Sequence, residues 1–196
     1  CTGNTSETVI VNPLPTPTIA GVNELCFGES TTLTASGGSS YVWNNGATTS
    51  SITVSPTTTT TYNVTVNDDK GCIASSSETV IVNPLPTPTI SGDTEICFGE
   101  STILTAIGGS NYTWSNGATT SSITVNPTTT TTYGVTVTDG NSCSGTSSVT
   151  VVVNPLPTPS IIGDTELCVG ESTGLFAVGG VGYVWSNGST TGLINV

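Results

Sequence analysis

The stretch Asn12-Pro13-Leu14-Pro15-Thr16-Pro17 returns as Asn83-Pro84-Leu85-Pro86-Thr87-Pro88 and again as Asn154-Pro155-Leu156-Pro157-Thr158-Pro159. The same 71-residue interval separates Asn12 from Asn83 and Asn83 from Asn154. Working outward, Trp43, Trp114 and Trp185 keep this interval, as do Cys26, Cys97 and Cys168, and Cys1, Cys72 and Cys143. No insertion or deletion breaks the register. Self-similarity at a fixed period is the signature of a repeat architecture. Residues 13–83 and 84–154 read as two full repeats, and residues 155–196 as a third that stops short of its own Thr-run and second cysteine. Residues 1–12 read as the last strand of a preceding, truncated repeat. The sequence is expected to be a window on a longer array, with any secretion signal outside it.

Within one repeat, strands are expected at Thr16–Ala20, Glu24–Cys26, Thr31–Ser36, Tyr41–Trp43, Ile52–Val54, Tyr62–Asn67 and Thr79–Val82. Period-two alternation carries them, as in Ser51-Ile52-Thr53-Val54 and Tyr62-Asn63-Val64-Thr65-Val66. Asn45-Gly46 reads as a two-residue type I′ hairpin turn. Short strands with turn signals about every 8–12 residues describe a β-sandwich. The fold class is therefore all-β, a tandem array of immunoglobulin-like β-sandwich domains on a 71-residue repeat. The linker prolines alternate, holding φ at about −65° and favouring an extended, semi-rigid connection. A stiff string of beads is the expected shape.

Composition excludes several functions. The chain has one Lys, no Arg and no His against 13 acidic residues, for a net charge of −12. A nucleic-acid partner needs cations to neutralise phosphate, and only Lys70 is present. Imidazole acid–base catalysis and His-ligated zinc are impossible. Dominance of Thr, Val and Ile disfavours helices. Hydrophobic residues at 34% argue against disorder.

The repeated aromatic and polar residues are read as structural. Trp43, Trp114 and Trp185 fit the centre of each sandwich better than a repeated sugar-stacking platform. Tyr62 and Tyr133, each following five threonines, suit a tyrosine corner. The runs Thr57–Thr61 and Thr128–Thr132 read as β-prone crossovers, because consecutive Thr side chains alternate between faces and make no flat ice-binding rank. The sequons at Asn4, Asn63, Asn111 and Asn187 do not recur at one repeat position.

Six periodic cysteines without His indicate disulfides in an oxidising compartment. Within-repeat pairs, Cys26/Cys72 and Cys97/Cys143, are favoured, each closing a 46-residue loop. The alternative is Cys26 with Cys143. In a strictly immunoglobulin-like topology Cys26 and Cys72 sit at opposite poles, beyond the roughly 7 Å that bridged Cα atoms allow. A kink at Gly21–Asn23 would be needed to rescue the within-repeat pair. The carboxylates of Glu24, Glu29, Asp68, Asp69 and Asp139 lie near repeat ends, where oxygen ligands suit Ca²⁺, although no recognisable calcium loop is present. Catalysis is not expected: no base activates the many hydroxyls, and a Gly-x-Ser-x-Gly elbow is missing.

Taken together, Asn-Pro-Leu-Pro-Thr-Pro, Leu25-Cys26-Phe27-Gly28-Glu29, Tyr41-Val42-Trp43-Asn44-Asn45-Gly46, the Thr-run before Tyr62-Asn63-Val64 and Gly71-Cys72 resemble a known repeat family. They are similar to the immunoglobulin-like and PKD-like repeats of giant secreted surface proteins of Bacteroidetes, which include gliding-motility adhesins and are often exported by type IX secretion. The resemblance implies an extracellular, cell-surface array serving adhesion, motility or surface architecture. Its partners would be neighbouring repeats and copies of itself, with a glycan or surface ligand as the alternative, and with no nucleic acid or membrane span.

Overall fold

The computed structural model describes residues 3–196. Strands are its regular elements, and no helix occurs among the described residues. Strands β1 (Thr18–Ala20), β2 (Glu24–Cys26), β3 (Thr31–Ser36), β4 (Ser40–Trp43), β5 (Ser51–Val54), β6 (Thr60–Asn67) and β7 (Ile73–Asn83) form two sheets, ordered β1-β3-β5 and β2-β7-β6-β4. One core lies between them: Leu25, Leu33, Ala35, Trp43, Ile52, Val54, Tyr62, Val64, Val66 and Val80. The period of two makes this core. In β3, Thr31, Leu33 and Ala35 point inward while Thr32, Thr34 and Ser36 face solvent. The outward hydroxyls then pair across strands, Thr32 with Thr53 at 3.1 Å and Thr34 with Ser51 at 3.0 Å.

This strand order is that of an immunoglobulin-like sandwich without its fourth strand, the first strand being split between the sheets. The split occurs at Gly21, whose φ is 154°. A Cβ there would stand 2.6 Å from the Thr32 carbonyl oxygen, so only glycine lets the chain cross at this point. Beyond it β2 runs parallel to β7, with Glu24 beside Ile81 and Cys26 beside Asn83.

Next come β8 (Thr89–Ser91), β9 (Glu95–Cys97), β10 (Thr102–Ile107), β11 (Asn111–Trp114), β12 (Ser122–Val125), β13 (Thr131–Thr138) and β14 (Ser144–Asn154), in sheets ordered β12-β10-β8 and β11-β13-β14-β9. The last three strands, β15 (Ser160–Ile162), β16 (Gly174–Val178) and β17 (Leu193–Asn195), make one sheet ordered β15-β16-β17. Contacts gather the chain into two compact units. One holds the residues up to Ile90 with Ala106–Ser121 and Gly134–Ser148; the other holds Ser91–Thr105, Ser122–Tyr133 and Val149–Val196.

Three sequence expectations differ from the structure. Asn45-Gly46 is not a type I′ turn. Gly46 donates its amide to the Trp43 carbonyl at 2.9 Å, and the Trp43 amide donates to the Ala47 carbonyl at 2.8 Å. Gly46 has φ 87° while Asn45 is not in the left-handed region, so this is a three-residue loop ending in a left-handed glycine. The reason is topological: the flanking strands are not partners, since β4 pairs with β6 and β5 with β3. Strand β7 also begins well before Thr79. Its Ser75-Ser76-Ser77 run lies outside the expected Thr79–Val82 strand, yet β6 has backbone groups to satisfy and pairs with it from Asn67 beside Ile73 to Thr60 beside Val80. Finally, residues 6–12 repeat Ser77–Asn83 letter for letter, but no strand forms between residues 3 and 17, and Val9, Ile10 and Val11 are exposed. The same seven letters are a strand in β7 because β6 and β2 flank them there.

Candidate functional site

Of the residues singled out by the sequence, Cys26 and Cys143 come together in one covalent feature. Cys26 is bonded to Cys143, with Cα atoms 5.5 Å apart and a sequence separation of 117. This overturns the within-repeat pairs. Because β2 is parallel to β7, Cys26 ends beside Asn83, whereas Cys72 precedes Ile73 at the other end of that strand. Ten strand steps of about 3.4 Å put those ends roughly 34 Å apart, far beyond bridging distance. The kink at Gly21 moves the chain to the other sheet without reversing it toward Cys72. Cys72, Cys97 and Cys168 are free thiols, and Cys1 lies outside the described residues.

Each described cysteine, Cys26, Cys72, Cys97, Cys143 and Cys168, sits in a prebuilt hydrogen-bonded frame. At the end of β2 the Cys26 amide donates to Glu29 Oε2 at 2.9 Å, and the Glu29 amide returns to the Cys26 carbonyl at 3.0 Å. Cys97 with Glu100 repeats both distances, and Cys168 with Glu171 does so at 3.1 and 3.0 Å. Cys72 and Cys143 each close an Asp turn. Asp139 Oδ1 accepts the amides of Asn141 and Cys143, both at 2.9 Å, while the Asp139 amide donates to the Cys143 carbonyl at 2.9 Å. Asp68 holds Lys70 and Cys72 in the same way, at 2.9 and 2.8 Å. Short acidic side chains that capture nearby amides stabilise such turns. The spacings Cys-x-x-Glu and Asp-x-x-x-Cys were the sequence signal for these roles.

The calcium candidates are thereby dispersed. Glu29, Asp68 and Asp139 hold the cysteine turns, Glu24 Oε1 accepts the Asn83 side-chain amide at 2.9 Å, and Asp69 is exposed. Among the described residues no group of three or more His, Cys, Asp or Glu side chains is placed to hold a metal.

Trp43 and Trp114 are each 2% exposed, and their indole N–H groups donate to the carbonyls of Thr49 and Thr120, both at 2.9 Å. Trp185 makes the equivalent bond to Thr191 at 2.7 Å but is only half-buried. Trp43 is flanked by β6, where Val64 stands opposite, and no strand takes that place beside Trp185 among the described residues. The tyrosine corner does not form. Tyr62 is buried and Tyr133 half-buried, but neither hydroxyl is hydrogen-bonded among the described residues. The loop tie comes instead from Tyr41, Tyr112 and Tyr183, whose hydroxyls donate to the carbonyls of Gly38, Gly109 and Gly180 at 2.8, 3.0 and 2.6 Å. In the Thr-runs, Thr59 and Thr130 accept the amides of Val82 and Val153 at 3.1 and 3.2 Å. A groove lined by Thr113, Ser115, Gly134, Thr136 and Ser147 carries hydroxyls and no titratable side chain.

No known protein-family profile matches this sequence, and no curated protein matches it. Solved structures do. One is murine CEACAM1b, at 12% identity and a TM-score of 0.37, covering 72% of this chain and 100% of that one. Another comes from work on host cell surface retention of a 1.5-MDa bacterial ice-binding adhesin, at 12% identity and a TM-score of 0.41, covering 95% of this chain and 88% of that one. At this level of likeness the fold rests on the strand order itself. No helix of the described residues is long and apolar enough to cross a membrane.

Proposed function

We propose that this chain is a structural repeat region of a long extracellular cell-surface protein: a tandem array of immunoglobulin-like sandwiches on a 71-residue repeat. It forms a stiff stalk or a self-assembling filament used in adhesion, motility or surface architecture. The observation that carries this reading is the Cys26–Cys143 bond, which ties a residue of the first repeat to a residue of the second. A bond that joins one repeat to the next, added to a short proline linker, favours stiffness over independent motion. A disulfide also belongs to an oxidising compartment.

Other features agree. Every bound of β8–β14 falls one full repeat period after that of its counterpart in β1–β7, from Thr18–Ala20 against Thr89–Ser91 to Ile73–Asn83 against Ser144–Asn154. Gly145 lies so close to the linker that a Cβ there would fall on the Pro86 carbonyl oxygen. The linker is thus packed on a strand rather than free. The resemblance to Bacteroidetes surface repeats makes type IX export the expected route, with neighbouring repeats and further copies as partners. Such an array needs no cofactor and performs no catalysis.

A second reading, adhesin modules that each bind a glycan or protein, is favoured by Phe27 and Phe98, exposed aromatics at one repeat position. The buried Trp43 and Trp114 are not available for it. Electron microscopy of native surface material, unreduced, tests the first reading. Fibres or thin rods with an axial repeat tied to the 71-residue unit are expected. Freely jointed beads without a fixed spacing would overturn it.

A further inference from the structure

The Cys26–Cys143 bond uses one frame of each kind, and each kind also occurs unbonded. We propose that Cys97 and Cys72 are the open halves of the same cross-link: Cys97 takes a cysteine held in an Asp-x-x-x-Cys turn by the following unit, and Cys72 takes a cysteine followed by Cys-x-x-Glu spacing from the preceding one. This rests on the repeat reading above and deepens it, turning a single staple into a ladder of bonds along the array.

Cys26 and Cys97 each end a strand in parallel register with the last strand of their own repeat, Cys26 beside Asn83 and Cys97 beside Asn154. The next amide, of Phe27 or Phe98, donates to that asparagine's carbonyl at 2.8 Å in both places. Glu29 and Glu100 accept the amides of Cys26 and Cys97, each at 2.9 Å. On the other side, Cys72 and Cys143 occupy matching Asp turns, their amides donating to Asp68 and Asp139 at 2.8 and 2.9 Å. One member of each pair is bonded and the other is not, yet the frames are the same. The frames are therefore set by local backbone bonding, and the bond demands no rearrangement of either half. Burial changes in the expected direction: bonded Cys143 is fully buried, whereas free Cys72 is half-buried and free Cys97 is exposed.

Register fixes the partner. The bond spans 117 residues, and the same step from Cys97 reaches position 214 of this numbering. Each link removes two protons and two electrons from a pair of thiols. The oxidant is a disulfide compound. One cysteine thiolate attacks its disulfide, expelling a thiolate and leaving a mixed disulfide; the second cysteine then displaces the other thiolate, so the oxidant ends as two thiols.

The partner cysteine comes from the next unit of the same chain or from a second copy, and two proteins distinguish these. The first is the 196-residue chain. The second is that chain extended after Val196 by a copy of residues 126–154, which brings the counterpart of Cys143 to position 214. Both are folded in a glutathione redox buffer, alkylated and mapped without reduction. In the extended chain, loss of alkylation at Cys97 with a Cys97–position 214 peptide in the monomer supports the proposal and assigns the partner to the same chain. A Cys97–Cys72 peptide found only in oligomers supports it and assigns the partner to a second copy; Cys97→Ser abolishes either. Cys97 fully alkylated in both proteins, or bonded to Cys168, with Cys26–Cys143 intact, overturns the proposal and leaves the repeat reading standing. A folded protein lacking Cys26–Cys143 itself would overturn both.

Discussion

Replacing Cys143 with alanine opens the covalent loop that begins at Cys26 and closes over a sequence separation of 117. In the chain-entropy account a closure of this length removes about 5 kcal/mol of unfolded-state freedom, which the variant regains. A 46-residue loop between Cys26 and Cys72 would be worth about 4 kcal/mol, so the magnitude alone cannot tell the two pairings apart. The control variants do. Cys26→Ala should match Cys143→Ala to within about 1 kcal/mol, the difference reflecting the full burial of Cys143. The double variant should lose no more than the larger single loss, because one bond is broken once. Cys72→Ala should change stability by no more than about 0.5 kcal/mol, as a free, half-buried thiol. Urea titration followed by tryptophan emission reads all four, since Trp43 and Trp114 are buried reporters. If Cys72→Ala proves as costly as Cys143→Ala, the cross-repeat bond is refuted and the parallel placement of β2 with it.

Trp43→Ala should cost about 3–5 kcal/mol in the same titration, because it leaves a cavity between the sheets and strands the Thr49 carbonyl. Tyr41→Phe should cost about 0.5–1.5 kcal/mol through its lost bond to Gly38, whereas Tyr62→Phe, without such a bond, should fall within about 0.5 kcal/mol of the parent. Gly145→Ala should push the linker off β14, seen as faster proteolytic cutting between Asn83 and Pro88. Asp139→Ala removes the acceptor for two amides and should cost about 1–3 kcal/mol, with slower formation of the Cys26–Cys143 bond during oxidative refolding.

Much of the fold was legible because its causes are local. Alternation in β3, β5 and β6 put Leu33, Ile52 and Val64 inside, and no distant residue was needed to predict it. The 71-residue period and the burial of Trp43 and Trp114 were likewise written in single letters. Where local signals misled, a neighbour had decided. The serines of β7 are strand because β6 needs a partner, and the identical letters of residues 6–12 are not strand because none is beside them. Asn45-Gly46 turned differently from its usual habit because the strands on either side belong to different sheets.

The cysteines show the division most clearly. Single letters were enough to show that they recur in two sets on one period, with the spacings Cys-x-x-Glu and Asp-x-x-x-Cys, and to lead one to expect disulfides. The letters could not choose between Cys72 and Cys143 for Cys26, since both lie on the same period. Tertiary structure decided that by the direction of three residues, Glu24-Leu25-Cys26, laid parallel to β7 so that Cys26 ends about one strand length from Cys72. A disulfide forms only where Cα atoms come within a few ångströms, and strand direction is a property of the sheet, not of the letters.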